Sequence, residues 1–280
     1  EPDLGIRGFS VDFRYAWLPE EHLLRIVDAA AALKASAIIW WPQDKFAWKS
    51  HPGLVHARAL SADQWKRVVA YCEERYIQMI PLMDPYGHGE TYLDRPDYLH
   101  LSNGEMGYWG HDDVQYCASH PDSWKVFHDL SGECLDVFSN TSYFHIGMDE
   151  VGGQDDHLCE TCRGRVRALA AEMKDPEPHD KARNRFIAQR MAEAIQWMKK
   201  RGRKSVFWDD TAINIRTRAL GPGGIEIVSP QDAIPLLWYY DSSPAKAREA
   251  LSRPGAQAFE TWIGTSGWGY ENIENYLKAS

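Results

Sequence analysis

Tyr143-Phe144-His145-Ile146-Gly147-Met148-Asp149-Glu150-Val151 decides the fold: a short apolar run breaks off in two adjacent carboxylates. Near-continuous hydrophobicity fits a parallel strand covered on both faces, and residues at the carboxyl end of such a strand face the catalytic mouth of an α/β barrel. Outward from this strand, Tyr143 to Gly147, the same kind of run recurs at Phe9 to Phe13, Ala37 to Trp41, Ile77 to Met83, Ser205 to Asp209, Leu236 to Tyr240 and Gln257 to Trp262. Longer segments of helical periodicity separate the runs, which is the pattern of βα units around a parallel sheet.

The helices carry their own signals. Pro19 suits a first helical turn before Leu23, Leu24 and Val27, and Ser61 with Gln64 forms a capping box ahead of Trp65, Val68 and Val69. A longer helix from about Asp180 aligns Phe186, Met191, Ala194, Ile195 and Met198 on one stripe and stops at Gly202. Segments 84–119 and 152–180 are too long for plain connectors and follow strands, where a barrel builds its active site. The fold expected is therefore an α/β, TIM-type (β/α)8 barrel in a single domain, residues 1–280. Seven strands are visible where a closed barrel needs eight. That shortfall implies an incomplete carboxyl-terminal end in a piece of a longer chain, with a misread strand as the alternative.

Composition narrows the function. The 280 residues are 44% hydrophobic and 25% charged, with no apolar run long enough to cross a bilayer. A formal net charge of -9 argues against nucleic acid, whose phosphates call for clustered Lys and Arg. The basic run Lys199-Lys200-Arg201 reads as a solvated helix end. Twelve Trp and thirteen Tyr are many for this length; aromatic faces stack on sugar rings, though core packing is the commoner use of any one Trp. The five cysteines are odd in number and sparse, which favours a reducing, cytoplasmic compartment. A chain beginning at Glu1 rather than Met implies a trimmed upstream segment, which leaves a secreted mature form as the alternative.

Adjacent carboxylates carry a mechanistic hint. Ordinary glycosidases set acid and nucleophile or base on opposite sides of the scissile bond, and neighbours on one strand end cannot easily straddle a sugar. They suit a division in which one protonates the leaving oxygen while the other orients a nucleophile carried by the substrate, such as a 2-acetamido carbonyl. Taken alone, Asp149 and Glu150 could equally begin a polar loop.

The stretch His145-Ile146-Gly147-Met148-Asp149-Glu150-Val151 resembles the signature of glycoside hydrolase family 20, the β-N-acetylhexosaminidases. Arg7-Gly8-Phe9-Ser10-Val11-Asp12-Phe13-Arg14 is similar to the family's first strand, Asp84-Pro85-Tyr86-Gly87-His88 to its third-strand Asp-x-x-Gly-His, Trp208-Asp209-Asp210 to its fifth-strand Trp-Asp, and Trp238-Tyr239-Tyr240-Asp241 to a Trp-Tyr-x-Asp segment. The spacing of the later strands resembles the compact, intracellular hexosaminidase D-like branch. Met148 departs from the pattern, standing where the family usually has Gly.

The resemblance implies a retaining, substrate-assisted hydrolase of terminal N-acetylglucosamine or N-acetylgalactosamine β-glycosides that needs no cofactor. Glu150 would be the general acid, with a pKa raised by burial or a neighbouring charge. Asp149 would orient the acetamido group, Tyr239 would hold its oxygen, and Arg14 would grip sugar hydroxyls. His88, with Asp84 as a possible partner, would tune Glu150. His145, Trp208, Trp238, Asp241 and Trp262 complete the expected substrate-binding set; Asp44 is a further hydroxyl binder, and Asp209 is a structural residue or one that supports those touching the sugar. Two other readings remain: a barrel that binds the sugar without turning it over, and a glycosidase using a direct carboxylate nucleophile. Separately, Cys117, His120, Cys159 and Cys162 have acceptable spacing for tetrahedral zinc, with free thiols or a disulfide as alternatives.

Overall fold

The computed structural model describes residues 5–14, 16–103, 115–151, 158–174, 178–209, 223–238, 252 and 257–264. Within them seven parallel strands alternate with helices: β1 (Gly8–Asp12), α1 (Glu20–Ala32), β2 (Ala37–Trp41), α2 (Ala62–Glu73), β3 (Gln78–Pro81), α3 (Glu90–Leu93), α4 (Pro121–Val137), β4 (Tyr143–His145), α5 (Glu160–Glu172), α6 (Pro178–Lys199), β5 (Lys204–Asp209), β6 (Ala233–Trp238) and β7 (Trp262–Gly264). The strands pair in sequence order as β1-β2-β3 and β4-β5-β6-β7. A parallel bridge from Leu82 to His145 and a hydrogen bond from Met83 N to His145 O (3.0 Å) join the two groups.

Alternation along the strands divides the core into an inner and an outer layer. Ala37, Ile39, Trp41, Ile80, Leu82, Val206, Ile234 and Leu236 pack together inside the curve of the sheet. Their neighbours Ile38, Trp40, Met79, Phe144, Ile146 and Phe207 turn outward and join the helices in a larger cluster. Trp40, Trp48 and Trp65 are fully buried there, so much of the aromatic excess is core.

Local signals act as expected at α2, where Ser61 and Gln64 form both halves of the capping box. At α1 Pro19 takes the N-cap position, with an extended backbone, rather than the first helical turn. Gly202 ends the turn after α6 at φ 71°, a left-handed conformation that glycine adopts without penalty. The seventh strand lies later than its sequence suggests. Residues 257–261 form no strand, and β7 begins at Trp262, which sits opposite Leu236 of β6. The run Gln257 to Trp262 has strand composition, but all of it before Trp262 lies outside the ladder, and only register against β6 decides that. The helix α5 falls inside the segment that reads as a long loop.

Candidate active site

The turn after β4 carries the site. Gly147, Met148 and Glu150 have φ of 63°, 77° and 54°, so the backbone coils through the left-handed region instead of leaving the sheet straight. Asp84, just after β3, organises this turn and its own. Its Oδ1 accepts from Tyr86 N and Gly87 N (both 2.8 Å) and its Oδ2 from Met148 N (2.9 Å). The fit is close: a Cβ on Gly147 would lie 2.3 Å from Asp84 Oδ2, and one on Gly87 would lie 2.9 Å from Asp149 O. Met148 meets the left-handed requirement without being glycine and buries its side chain completely.

His88, at φ 46°, bridges the first and fourth strand ends. Arg14 Nη1 lies 2.6 Å from His88 Nδ1, and His88 Nε2 lies 3.0 Å from Asp149 Oδ2. A guanidinium has only donors, so the Arg14 contact is a hydrogen bond only where Nδ1 carries no proton, and the ring then donates from Nε2 to Asp149. Burial disfavours a second proton on the ring while the Asp149 carboxylate favours it more strongly, and such a proton must displace Arg14. Burial alone would raise the Asp149 carboxyl; His88, followed by Arg14, outweighs it and holds Asp149 below the usual carboxylate range. Asp84 goes the other way, lifted to about 6 by burial and then by the Asp149 charge.

Asp149 Oδ1 is buried and has no hydrogen-bond partner among the described residues. Glu150 Oε2 lies 3.7 Å from His88 Nε2, and Gln115 Nε2 donates to the Glu150 carbonyl (2.7 Å). The two carboxylates therefore share His88 as a neighbour. Arg14 is further tied to Asp12 (2.8 Å) and Glu90 (3.5 Å) and lies 4.5 Å over the Trp41 ring, which meets His88 edge-on.

Arg14, His88, Asp149 and Glu150, separate in sequence, are thus brought together. Asp84 partners backbone amides rather than His88. His145 is completely buried beneath the turn; its Nδ1 accepts from Gly147 N (3.0 Å), its ring lies 4.7 Å from Trp208, and burial brings its pKa down to about 3. It supports the turn from below instead of lining an open surface. Trp208 and Trp238 stand on β5 and at the end of β6, both part-exposed. Trp262 is corrected: opening β7 rather than closing it, it packs edge-on against Tyr143 (5.0 Å), the first residue of β4, at the end away from Asp149. Asp44 turns its carboxylate to Lys45 and Arg95. Asp209 is fully buried. Tyr239 and Asp241 lie outside the described residues. Glu90, Gln115 and Trp41 join the site without having been singled out; only Trp41, closing β2, carried a positional signal.

Cys117, Cys159 and Cys162 gather with their sulfurs all within 4.8 Å of one another. His120 does not join them, because its Nδ1 accepts from Asp122 N (3.2 Å) and caps α4.

The model for the glycosyl hydrolase family 20 catalytic domain matches residues 5–253. The chain belongs to glycosyl hydrolase family 20. Among the family's curated members it is 26% identical over 230 residues to a β-hexosaminidase of Porphyromonas gingivalis, covering 75% of this chain and 28% of that protein. It is 26% identical over 225 residues to a β-hexosaminidase of Akkermansia muciniphila, covering 72% of this chain and 44% of that one. The chain therefore spans less than half the length of either relative. Among solved family 20 structures, the Vibrio harveyi exo-β-N-acetylglucosaminidase superposes with a TM-score of 0.70 at 18% identity, over 94% of this chain and 41% of that one. The β-N-acetylhexosaminidase of Bacteroides fragilis gives 0.69 at 20%, over 95% and 51%. These likenesses establish the TIM-barrel fold.

Proposed function

We propose that the chain carries the catalytic site of an exo-β-N-acetylhexosaminidase that hydrolyses terminal GlcNAc or GalNAc β-glycosides with retention, through an oxazolinium intermediate. One observation carries the reading: Asp149 presents a half-buried, ionised carboxylate directly beside Glu150, with one oxygen held by His88 and the other buried without a partner among the described residues. An amide N–H of a 2-acetamido group is the donor such an oxygen lacks. Family membership and the names of the relatives support the same substrate class.

In this scheme Glu150 gives its proton to the glycosidic oxygen as the bond from that oxygen to C1 breaks, and the acetamido carbonyl oxygen attacks C1. Asp149 holds the amide N–H and offsets the positive charge of the oxazolinium ring. The Glu150 carboxylate then takes a proton from water as it opens the ring at C1, restoring the acid and the original configuration. In this reading Arg14, pinned by Asp12 and Glu90, meets sugar hydroxyls, and Trp208 and Trp238 wall the ring. Tyr239 and Asp241 take their roles from the family segment that they match. Five cysteines, none of them in a disulfide, suit a reducing, cytoplasmic setting.

The test is hydrolysis of aryl N-acetyl-β-glucosaminide and galactosaminide. Glu150→Gln is expected to lower kcat by about 10²–10⁴-fold with its melting temperature unchanged. A thiazoline mimic of the oxazoline should inhibit strongly. Wild-type turnover in Glu150→Gln, or indifference to the thiazoline, would overturn the scheme.

A further inference from the structure

The three clustered thiols have no part in that scheme, yet they lie where two site-building segments meet. Cys117 follows the long segment after β3, whereas Cys159 and Cys162 open α5 after the β4 turn. Cys117 Sγ lies 3.5 Å from Cys159 Sγ and 3.8 Å from Cys162 Sγ. A disulfide requires about 2.05 Å and would strand the third thiol. Sulfurs about 2.3 Å from one tetrahedral zinc stand roughly 3.8 Å apart, close to the two distances from Cys117.

The surroundings favour thiolates over thiols. Cys159 is the N-cap of α5, but its side chain caps no amide and turns to the cluster instead. The helix amino terminus stabilises negative charge there. Cys162 is fully buried and Cys117 nearly so, which removes competing water.

We infer that Cys117, Cys159 and Cys162 bind one zinc ion, a structural clasp between the segment after β3 and the start of α5. Binding forms three zinc–sulfur bonds and releases the remaining thiol protons to solvent. The clasp is wired to the acid's backbone: Asn103 Oδ1 accepts from Cys159 N (2.8 Å), Asn103 N donates to Gln115 O (2.7 Å), and Gln115 Nε2 donates to Glu150 O (2.7 Å). The ion holds the segment that positions Glu150 and takes no part in bond cleavage.

Elemental analysis of the reduced, desalted chain tests this, with about one zinc expected per chain. Exchange with cobalt should produce sulfur-to-metal charge-transfer absorption. Cys117→Ser and Cys162→Ser should each weaken binding beyond the roughly 10–100-fold loss of an outer partner, while Cys72→Ser and Cys134→Ser keep full occupancy. Because a variant can fail to fold, the wild-type chain is also melted before and after a strong chelator, then after zinc is returned; a lower Tm that recovers is expected. A wild-type chain that holds neither zinc nor cobalt, a Cys117–Cys159 disulfide in the freshly purified protein, or a folded Cys162→Ser chain with undiminished zinc would each overturn the inference.

Discussion

The two ends of β4 are built to opposite rules. At its carboxyl end three of four successive residues, Gly147, Met148 and Glu150, are in the left-handed region, and two half-buried carboxylates crowd a buried imidazole. At its amino end Tyr143 packs on Trp262, and the adjacent Lys204 meets Glu260 in an open ion pair (2.9 Å). Strain and buried charge collect where chemistry needs pre-set groups, while the far end relies on apolar contact and solvated charge. The turn persists because Asp84 supplies acceptors for three amides that would otherwise be unsatisfied.

Substitutions at the two ends should separate stability from activity, from a large effect down to a negligible one. Gly147→Ala sets a Cβ against Asp84 Oδ2 at a left-handed φ, so urea unfolding should show a loss of about 3 kcal/mol together with lost turnover. If activity survives intact, the turn is not the rigid platform described.

Asp84→Asn comes next, with about 1–3 kcal/mol lost because its amide must turn an N–H towards one of the three donors. Its pH dependence sharpens the point. Asp84 is raised in the folded state, so its contribution is greatest below the ordinary value of 3.8 and is lost as pH rises through about 6. Wild type should therefore exceed Asp84→Asn by more at the bottom of that window than above it. His145 acts in the reverse sense: kept neutral by burial, with its pKa at about 3, it costs stability as pH falls below its ordinary 6.5. Only the difference between the two proteins isolates Asp84; a difference that grows with pH would refute the assignment.

Trp262→Ala should lose about 1–2 kcal/mol by thermal melting, less than a fully buried Trp, with kcat/KM for the aryl glycoside unchanged. A marked rise in KM would return Trp262 to the sugar pocket. Lys204→Met should change stability by under about 0.5 kcal/mol and leave turnover alone, since the pair with Glu260 is solvated.

Much of this was legible in the residues. Six strands fall within a few positions of their apolar runs, because alternating side chains in a sheet covered on both faces leave a dense local signature. The acidic pair at 149–150 and the Asp84 to His88 stretch were readable for a related reason, since function restricts their types and spacing. Register was not readable in the same way. Gln257 to Trp262 has strand composition, but which residue faces Leu236 depends on the partner strand, and that makes Trp262 open its strand rather than close it.

Partnerships across the chain belong to the tertiary structure alone. Nothing local says that Asp84 serves backbone amides instead of His88, that His120 caps α4 while three cysteines converge without it, or that Gln115 holds the Glu150 carbonyl. The sequence by itself determined the family, the barrel and the identity of the acidic pair, because those follow from local pattern and spacing. The direction in which each buried group points was decided by folding, because a buried polar atom takes its partner from whatever the packed chain brings within about 3 Å.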